Sequence, residues 1–400
     1  MKNLLYLVHR IPYPPNKGDK IRSFHFLQAL ASDYRIYLGT FVDDQQDWQY
    51  VDELKDLCQE TCFLKLNPQQ AKILSLQGLL AGKPLTLPYY YKQKMQHWVD
   101  EVIHKNDISK VLVFSSAMAQ YINDGHAVER FVDFVDVDSD KWRQYAEKKT
   151  WPGSWIYKRE AKLLFDFEKE TAKKSTAGFF VSVQEAQLFN KLAPETNEKI
   201  TFINNGVDTR YFSPAHSYES PYDPGEQVVV FTGAMDYWAN VDAVSWFADQ
   251  VYPLVLQQLP ETKFYIVGSK PTKEVQSLAS RPGITVTGAV VDIRPYLACS
   301  SLVVAPLRIA RGIQNKVLEA MAMNKPVIAS PQAIEGIPVN EELDVSIEEN
   351  LENFAERVCL RLTTDSAHGQ QKSNRDFVQE RFSWQHSGKK LKELIAGSTL

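Results

Sequence analysis

The stretch ARGIQNKVLEAMAMNKPVIAS (residues 310–330) has the pattern of a loop, a short helix and a buried strand. Gly312 permits backbone conformations closed to other residues, and the free amides that open the following helix form an anion site reinforced by the helix dipole. Lys316 and Glu319 share one helical face, where a cation suits phosphate and a carboxylate suits two ribose hydroxyls. The stretch therefore predicts a nucleotide diphosphate site; the alternative is an exposed ion pair on a surface helix.

Outside this stretch, short β-rich runs alternate with longer helical patterns, which predicts parallel sheets covered by helices. One series of runs covers residues 4–8, 35–42, 62–66, 110–114, 130–137 and 177–183; a second covers 228–234, 263–269, 284–290, 301–307 and 326–330. A polar, proline-rich segment at 213–227 separates them, so the domain boundary is predicted near residues 205–226. Ligands of such sheets bind beyond the carboxyl ends of the strands, and we expect the site between the two domains.

Length and composition exclude several classes of protein. A chain of 400 residues predicts two to three domains, and 44% hydrophobic with 24% charged residues is typical of a globular protein. The net charge of -4 argues against a general nucleic-acid binder. The short apolar start predicts a strand and not a signal peptide, and no later run has the length of a membrane span. The four cysteines form no CxxC pair, which favours buried thiols in a reducing cytoplasm.

The first predicted strand leads into HRIPYPPNKGDKIRSFH, where prolines and Gly18 shape a loop. Asp19 is expected to cap a helix that begins with Lys20, which gives a second helix start suited to anions. Lys17, Lys20 and Arg22 supply positive charge, and Gly18 allows close approach of a ligand; the alternative is a solvated turn. The loop is neither a GxGxxG nor a Walker motif.

Three carboxylates occur in FVDFVDVDSDKW (residues 131–142), at the end of an apolar run. Asp133, Asp136 and Asp138 are costly there unless they serve hydrogen bonds, metal or substrate. On a strand Asp136 and Asp138 would point the same way, where they could position an acceptor hydroxyl or act as a base. The alternatives are a DxD motif for magnesium or manganese and capping of the next helix.

The segment ILSLQGLLAGKPLTLPYYYKQKM (residues 73–95) mixes apolar, aromatic and basic residues. This pattern suits peripheral contact with a membrane; the alternative is a core helix followed by a loop. Trp142, Trp151 and Trp155 are further candidates for contact with sugars or lipid headgroups, or for the core.

Five strings in one order resemble the retaining glycosyltransferases of family 4: PYPPNKGDKIRSFH, NNGVDTRYFSP, FTGAMDYWANVDAVSWF, VTGAVVDIRPYLA and KVLEAMAMNKPVIAS. The strings look closest to the bacterial sugar-transferase subgroup associated with exopolysaccharide and PEP-CTERM systems. The resemblance implies the GT-B fold, with two Rossmann-like doubly wound domains that face a central cleft. These would be an acceptor-side domain (1–210) and a donor domain (211–381), with a C-terminal helix of about 382–400 that packs back on the first domain.

The resemblance also implies roles for individual residues. Glu319 would hold the donor ribose, and the segment from Gly312 through Asn315 to Lys316 would contact the diphosphate. Gly233 would admit the diphosphate, and the backbone near Val290 would meet the base, flanked by Asp292 and Arg294. The Gly18 loop with Asp19 and Arg22 would approach the donor phosphates or the acceptor.

Two departures from the family pattern concern charge. Arg311 stands where many members have a glutamate that contacts the donor sugar, and the string after Gly233 lacks the usual Arg and Lys. Lys316, with Arg308 or Arg311, would then supply the missing positive charge.

The sequence analysis therefore predicts a cytoplasmic, metal-independent hexosyltransferase without a cofactor, with peripheral contact at the inner face of the cell membrane. It would move a sugar from a UDP- or GDP-sugar to a glycan or lipid-linked glycan, with Asp136, Asp138 and Lys316 as catalytic residues. The alternatives are a silent nucleotide-sugar-binding partner in polysaccharide assembly and a GT-B-like epimerase. No nucleic acid is expected as a partner.

Overall fold

The computed structural model describes residues 1–16, 18–147, 149–310, 312–364 and 373–397. The chain forms two compact units. The first unit is Met1–Asn205 together with the segment from Ser387, and the second unit is Gly206–His386. The sequence-based bounds were 1–210 and 211–381, so the chain passes into the second unit slightly earlier and returns slightly later than those bounds.

The first unit is built on a seven-stranded parallel sheet. Its strands are β1 (Lys2–Val8), β2 (Tyr34–Val42), β3 (Glu60–Lys65), β4 (Lys110–Phe114), β5 (Glu129–Val135), β6 (Ala177–Phe180) and β7 (Ile200–Phe202). Its helices are α1 (Gly18–Ala31), α2 (Val51–Lys55), α3 (Pro68–Ser75), α4 (Gln77–Leu80), α5 (Thr86–Tyr89), α6 (Gln93–Lys105), α7 (Asp138–Glu147), α8 (Gly153–Lys174) and α9 (Val183–Leu192). The strand order is β3-β2-β1-β4-β5-β6-β7. The order reverses between β1 and β4, which is where doubly wound sheets bind ligands.

The second unit repeats this architecture with six parallel strands. They are β8 (Val228–Thr232), β9 (Lys263–Val267), β10 (Ile284–Gly288), β11 (Leu302–Ala305), β12 (Val327–Ala329) and β13 (Val345–Ile347). The helices are α10 (Trp238–Trp246), α11 (Tyr252–Gln258), α12 (Lys273–Leu278), α13 (Arg294–Cys299), α14 (Asn315–Ala322), α15 (Leu351–Thr363) and α16 (Asn374–Arg381). The order β10-β9-β8-β11-β12-β13 places the reversal between β8 and β11. The prediction of two Rossmann-like parallel sheets is confirmed.

The sheets are stable because their central strands are apolar on both faces. Leu4, Leu5, Leu7 and Val8 of β1 are all 0% exposed. Burying one such side chain contributes about 1.5–3 kcal/mol, and helices on both faces are needed to achieve it. The short edge strands β7 and β13 escaped the sequence analysis because three residues give no periodic signal.

The last helix, α17 (Trp384–Ala396), extends from the second unit into the segment that belongs to the first. Its carboxyl end is held there by Lys110, whose Nζ donates to the carbonyl of Ile395 over 2.8 Å. Within the part of the chain that the structure describes, no helix has both the length and the apolar character to cross a membrane.

Candidate functional site

A cavity of about 770 Å³ lies at the carboxyl ends of the central strands of the first unit. His9 follows β1, Ser115 follows β4 and Asp136 follows β5, and all three line it. Aromatic side chains, among them Tyr90 and Trp142, form much of the remaining wall. The cavity is therefore at the position where a doubly wound sheet offers its loops to a ligand.

The Gly18 loop does not form the open anion site that the sequence predicts. The helix α1 already begins at Gly18, and Asp19 lies in its first turn. Burial would raise the pKa of the Asp19 carboxyl, but the hydrogen bond from His9 and the charge of Arg10, at 2.7 Å, hold it below its usual range. The protein's own carboxylate thus occupies the positive end of α1, which leaves this helix start unsuited to a phosphate.

The basic residues of this loop also pair with other groups of the same chain. Arg22 is 1% exposed, and its guanidinium donates to Asp133 at 2.7 Å, to the carbonyl of Ile203 at 2.8 Å and to Asn205 at 2.9 Å. Lys20 is also buried and pairs with Asp47 at 2.6 Å. The expectation that Lys20 and Arg22 offer free positive charge to a ligand is wrong, because both neutralise buried carboxylates.

Asp136 and Asp138 lie close together for a different reason from the one predicted. The strand β5 ends at Val135, whose φ of +67° turns the chain away from the sheet, and α7 begins at Asp138. Lys141 Nζ lies 2.7 Å from Asp136 Oδ2 and 3.1 Å from Asp138 Oδ1. The two carboxylates meet around this ammonium and not along a strand.

Lys141 also bears on the DxD alternative. Its ammonium lies between the two carboxylates, in the position that a divalent cation would take. Among the residues that the structure describes, no group of three or more His, Cys, Asp or Glu side chains could hold a metal ion. The geometry therefore favours a carboxylate pair with an internal counter-ion, suited to hydrogen bonds with hydroxyl groups.

A buried carboxyl group binds the residue that follows Asp138. Glu168 of α8 accepts a hydrogen bond from Ser139 Oγ at 2.6 Å and one from the Ser139 amide at 3.3 Å. Burial, and secondarily the charge of Asp138, raises the pKa of Glu168 to about 8. Burial also raises the pKa of Asp138, although Lys141 acts in the opposite direction.

The sequence analysis missed His9, Lys141 and Glu168. The sequence could have indicated that Glu168 is buried, because it belongs to a series with a spacing of four on the buried face of α8: Glu160, Leu164, Glu168 and Ala172. His9 stacks on Phe114 with ring centroids 5.7 Å apart, and within the described chain its Nδ1 is buried without a hydrogen-bond partner. No sequence pattern predicts the stacking of His9 on Phe114.

The second unit brings Lys316 to the end of its first strand. Lys316 Nζ donates to Asn240 Oδ1 at 2.5 Å and lies 4.0 Å from the centroid of the Phe231 ring. Burial lowers the pKa of Lys316 to about 7, and the charge of Glu319 opposes this shift. Burial raises the pKa of Glu319 to about 7, against the charge of Lys316. Both side chains are partly buried, so the alternative of an exposed surface pair is wrong.

Gly233 lies against this ammonium. A Cβ atom added at Gly233 would be 2.7 Å from Asn240 Nδ2 and 3.1 Å from Lys316 Nζ. A Cβ atom added at Gly268 would clash with the carbonyl oxygen of Gly233, so the loops after β8 and β9 pack backbone to backbone. Gly233, Asn240 and Lys316 thus converge from distant parts of the sequence; Asn240 and Gly268 were not predicted.

The loop before α14 matches the predicted geometry of a helix start. Gly312 has a φ of +69°, and a Cβ atom added to it would meet no other atom within 4 Å. The positive φ, and not a shortage of space, is therefore the reason that glycine is favoured here. The helix begins at exposed Asn315, and its N-cap residue Gln314 makes no side-chain cap hydrogen bond. The side chain of Gln314 thus does not cap the first amides of α14, which lie next to Lys316.

The remaining predicted residues lie elsewhere in the second unit or outside the described chain. Val290 is partly buried in the loop after β10. Asp292 and Arg294 pair with each other at 2.6 Å. Arg308 donates to Asp242 through two of its nitrogens, so its charge is balanced by that carboxylate. Lys17 and Arg311 lie outside the described residues.

Residues 226–364 match the family model described as Glycosyl transferases group 1. The second unit thus matches this glycosyltransferase family over most of its length. No curated protein matches the chain.

Solved structures resemble nearly the whole chain. A sucrose-phosphate synthase from Thermosynechococcus elongatus has a TM-score of 0.67 at 17% identity, with 99% of both chains covered. A glycosyltransferase from Rickettsia africae ESF-5 has a TM-score of 0.64 at 16% identity, covering 99% of this chain and 98% of its own. Anabaena Alr3699/HepE, in complex with UDP, has a TM-score of 0.62 at 15% identity and covers 99% of this chain and 100% of its own. The GT-B fold class is confirmed, and the family match supports a glycosyltransferase.

Proposed function

We propose that the protein is a retaining, metal-independent glycosyltransferase that moves a sugar from a nucleotide diphosphate to a hydroxyl of a glycan or lipid-linked glycan in cell-surface polysaccharide synthesis. The observation that carries the proposal is the convergence of Gly233, Asn240 and Lys316 beside Glu319, inside the matched segment. A nucleoside diphosphate needs three groups: a glycine that leaves room for it, an oriented ammonium for its phosphates and a carboxylate for its ribose.

The chemistry follows from how Lys316 is held. When the bond between the anomeric carbon and the β-phosphate oxygen breaks, negative charge accumulates on the leaving diphosphate. Asn240 and Phe231 orient the ammonium without neutralising it, because neither carries a charge. A bound diphosphate would favour the charged form of Lys316 and raise its pKa again. Glu319 would accept hydrogen bonds from the donor ribose.

The acceptor would bind in the cavity of the first unit. Asp136 and Asp138 would accept hydrogen bonds from acceptor hydroxyls, and Lys141 Nζ, which lies 2.7 Å from the first and 3.1 Å from the second, would hold both carboxylates in position. The aromatic wall suits the flat, apolar faces of sugar rings. We propose a UDP-sugar as the donor to test first, because the similar Anabaena protein was crystallised with UDP and with UDP-glucose.

The test is UDP release from UDP-glucose with water as the acceptor of the glucosyl group, in the presence of EDTA, for the wild type and for Lys316→Met. We expect kcat/KM to fall by about 10²–10³-fold in the variant, as when one preorganised donor is removed from a transition state. The matched control is Lys270→Met in the same unit, since the Lys270 side chain is 76% exposed. Equal rates in wild type and Lys316→Met would refute the proposal, and dependence of the rate on a divalent metal would refute metal independence.

The second candidate is a nucleotide-sugar-binding protein without turnover. It is favoured by Arg308, which Asp242 already neutralises, and by the absence of Arg and Lys in the string after Gly233. Such a protein would bind UDP through Lys316 but release none from UDP-, GDP- or ADP-sugars. Conversion of the donor to another sugar nucleotide without acceptor would indicate an epimerase instead.

A further inference from the structure

Large apolar side chains are exposed beside the mouth of the first-unit cavity. Three lie on or next to α3 and three at α7 and the start of α8. They are Ile73 at 69%, Leu74 at 41%, Leu76 at 52%, Tyr145 at 54%, Trp151 at 81% and Trp155 at 56% exposed. We call this set the apolar rim. It borders the cavity because Lys72, Ser75 and Tyr145 belong to the cavity lining.

Hydrogen bonds join the two halves of the apolar rim into one surface. Arg159 of α8 donates to the carbonyl of Gly78 at 2.9 Å and to that of Lys83 at 3.1 Å. The buried carboxylate of Glu160 accepts from the Leu85 amide at 2.5 Å and from Thr86 Oγ1 at 2.7 Å. The start of α8, which carries Trp155, is therefore fixed against the segment that follows α3.

The charge beside the α3 and α8 parts of the apolar rim is basic, whereas Asp140 and Glu147 of α7 pair with Arg143. Residues 68–94 contain four lysines and no acidic residue, and residues 149–162 contain four basic residues and one acid, Glu160. Glu160 is 1% exposed and occupied by its hydrogen bonds, so it does not offset this charge at the surface. The whole chain has a net charge of -4, so the basic character is local. Its complement is a negatively charged surface.

We propose that the apolar rim docks on an anionic lipid bilayer. The exposed tryptophans and aliphatic side chains enter the headgroup region, where amphipathic rings are favoured, and the surrounding lysines meet lipid phosphates. Each lysine near such a surface adds to the attraction, and this effect falls off within a Debye length. Docking in this orientation places the cavity mouth at the bilayer surface. This last consequence, that the cavity receives an acceptor attached to a lipid, rests on the proposed function; the docking itself does not.

The test is co-sedimentation of the full chain with vesicles of phosphatidylcholine alone and of phosphatidylcholine mixed with phosphatidylglycerol. We expect binding to the mixed vesicles, weakened by salt, and little binding to the neutral ones. The double variant Trp151→Ser, Trp155→Ser should bind the mixed vesicles at least about tenfold more weakly, since each indole loses its apolar burial. The control is Trp238→Ser, which removes a tryptophan that is 55% exposed in the second unit.

Three results would overturn the docking proposal: no binding to the mixed vesicles, equal binding to both vesicle types, or equal loss in the control. A thermal unfolding scan of each variant shows whether it is folded. If the double variant is unfolded, Lys72→Gln with Lys83→Gln tests the same surface through its charge.

UDP release is measured on the same samples. Failure of vesicle binding with normal UDP release removes only the docking, and the reverse result removes only the transferase.

Discussion

The cavity of the first unit and the Lys316 site of the second unit lie at equivalent places in two sheets of the same strand order, yet their charges are arranged in opposite ways. Around the cavity, Arg10, Arg22 and Lys141 each pair with a carboxylate within 3.1 Å. Lys316 is held by an amide oxygen and an aromatic ring. The first region is internally neutralised, whereas in the second no acidic side chain among the described residues forms an ion pair with Lys316.

This difference assigns different ligands to one architecture. Paired charges and aromatic walls suit neutral hydroxyl groups, because a phosphate would have to displace a carboxylate. A buried ammonium with neutral partners gains most from an anion, which restores the charge that burial disfavours. The comparison indicates that the function of such a sheet is set by the few side chains that follow its strands, and not by the strand order.

The largest expected effect concerns the buried pair of the first unit. Arg22→Met leaves Asp133 buried without its counter-ion, and we expect the free energy of unfolding to fall by about 3–5 kcal/mol. Urea denaturation measures it. Lys174→Met is the control, because Lys174 pairs with Asp124 at an exposed position and its loss should cost under about 1 kcal/mol. Similar losses in both variants would contradict the structural role given to Arg22.

The next effect is a dependence of stability on pH. The pKa of Glu168 is about 8 in the folded protein and 4.5 in its ordinary state. Between these values the folded state binds more protons than the unfolded state, so Glu168 makes the protein less stable as pH rises from about 4.5 towards 8.

Glu168→Gln keeps an acceptor for Ser139 and removes this titration. The slope of the free energy of unfolding against pH should change by up to about 1.4 kcal/mol per pH unit in that window. Denaturation series at several pH values measure it, with Glu170→Gln at the exposed face of the same helix as control. Parallel curves for wild type and Glu168→Gln would show that Glu168 is not protonated in the folded protein.

The smallest effect sharpens the contrast between the two regions. Lys141→Met removes a cation from the cavity, but we expect the Kd for UDP to change by less than about twofold, because this cation already serves Asp136 and Asp138. Fluorescence titration with UDP measures it. A loss of UDP affinity as large as that of Lys316→Met would mean that the cavity, and not the second unit, binds the diphosphate.

Sequence alone predicted the parts of the molecule that follow from periodicity and from local chemistry. Alternating apolar runs located most of the strands, and Gly312, Lys316 and Glu319 lie within one loop and one helix, where spacing fixes which side chains are neighbours. Asn240 and Gly268 were missed because they reach Lys316 and Gly233 only through the packing of the sheet.

The errors have equally physical causes. The sequence analysis extended β5 through Asp136, but Val135 adopts a positive φ, which β-branched residues seldom do, and the strand ends there. Arg22 looked like a free cation because its partner Asp133 is more than a hundred residues away in sequence. Long-range ion pairs leave no local pattern.

The measurement that tests the central claim most directly is calorimetric binding of UDP, without added metal, to the wild type and to Lys316→Met, Glu319→Gln and Lys141→Met. We expect binding by the wild type and by Lys141→Met, a Kd at least about tenfold weaker in Glu319→Gln, and about a hundredfold weaker in Lys316→Met, which loses a charge-assisted contact. Unchanged affinity in Lys316→Met, or binding abolished only in Lys141→Met, would contradict the assignment of the diphosphate to the second unit.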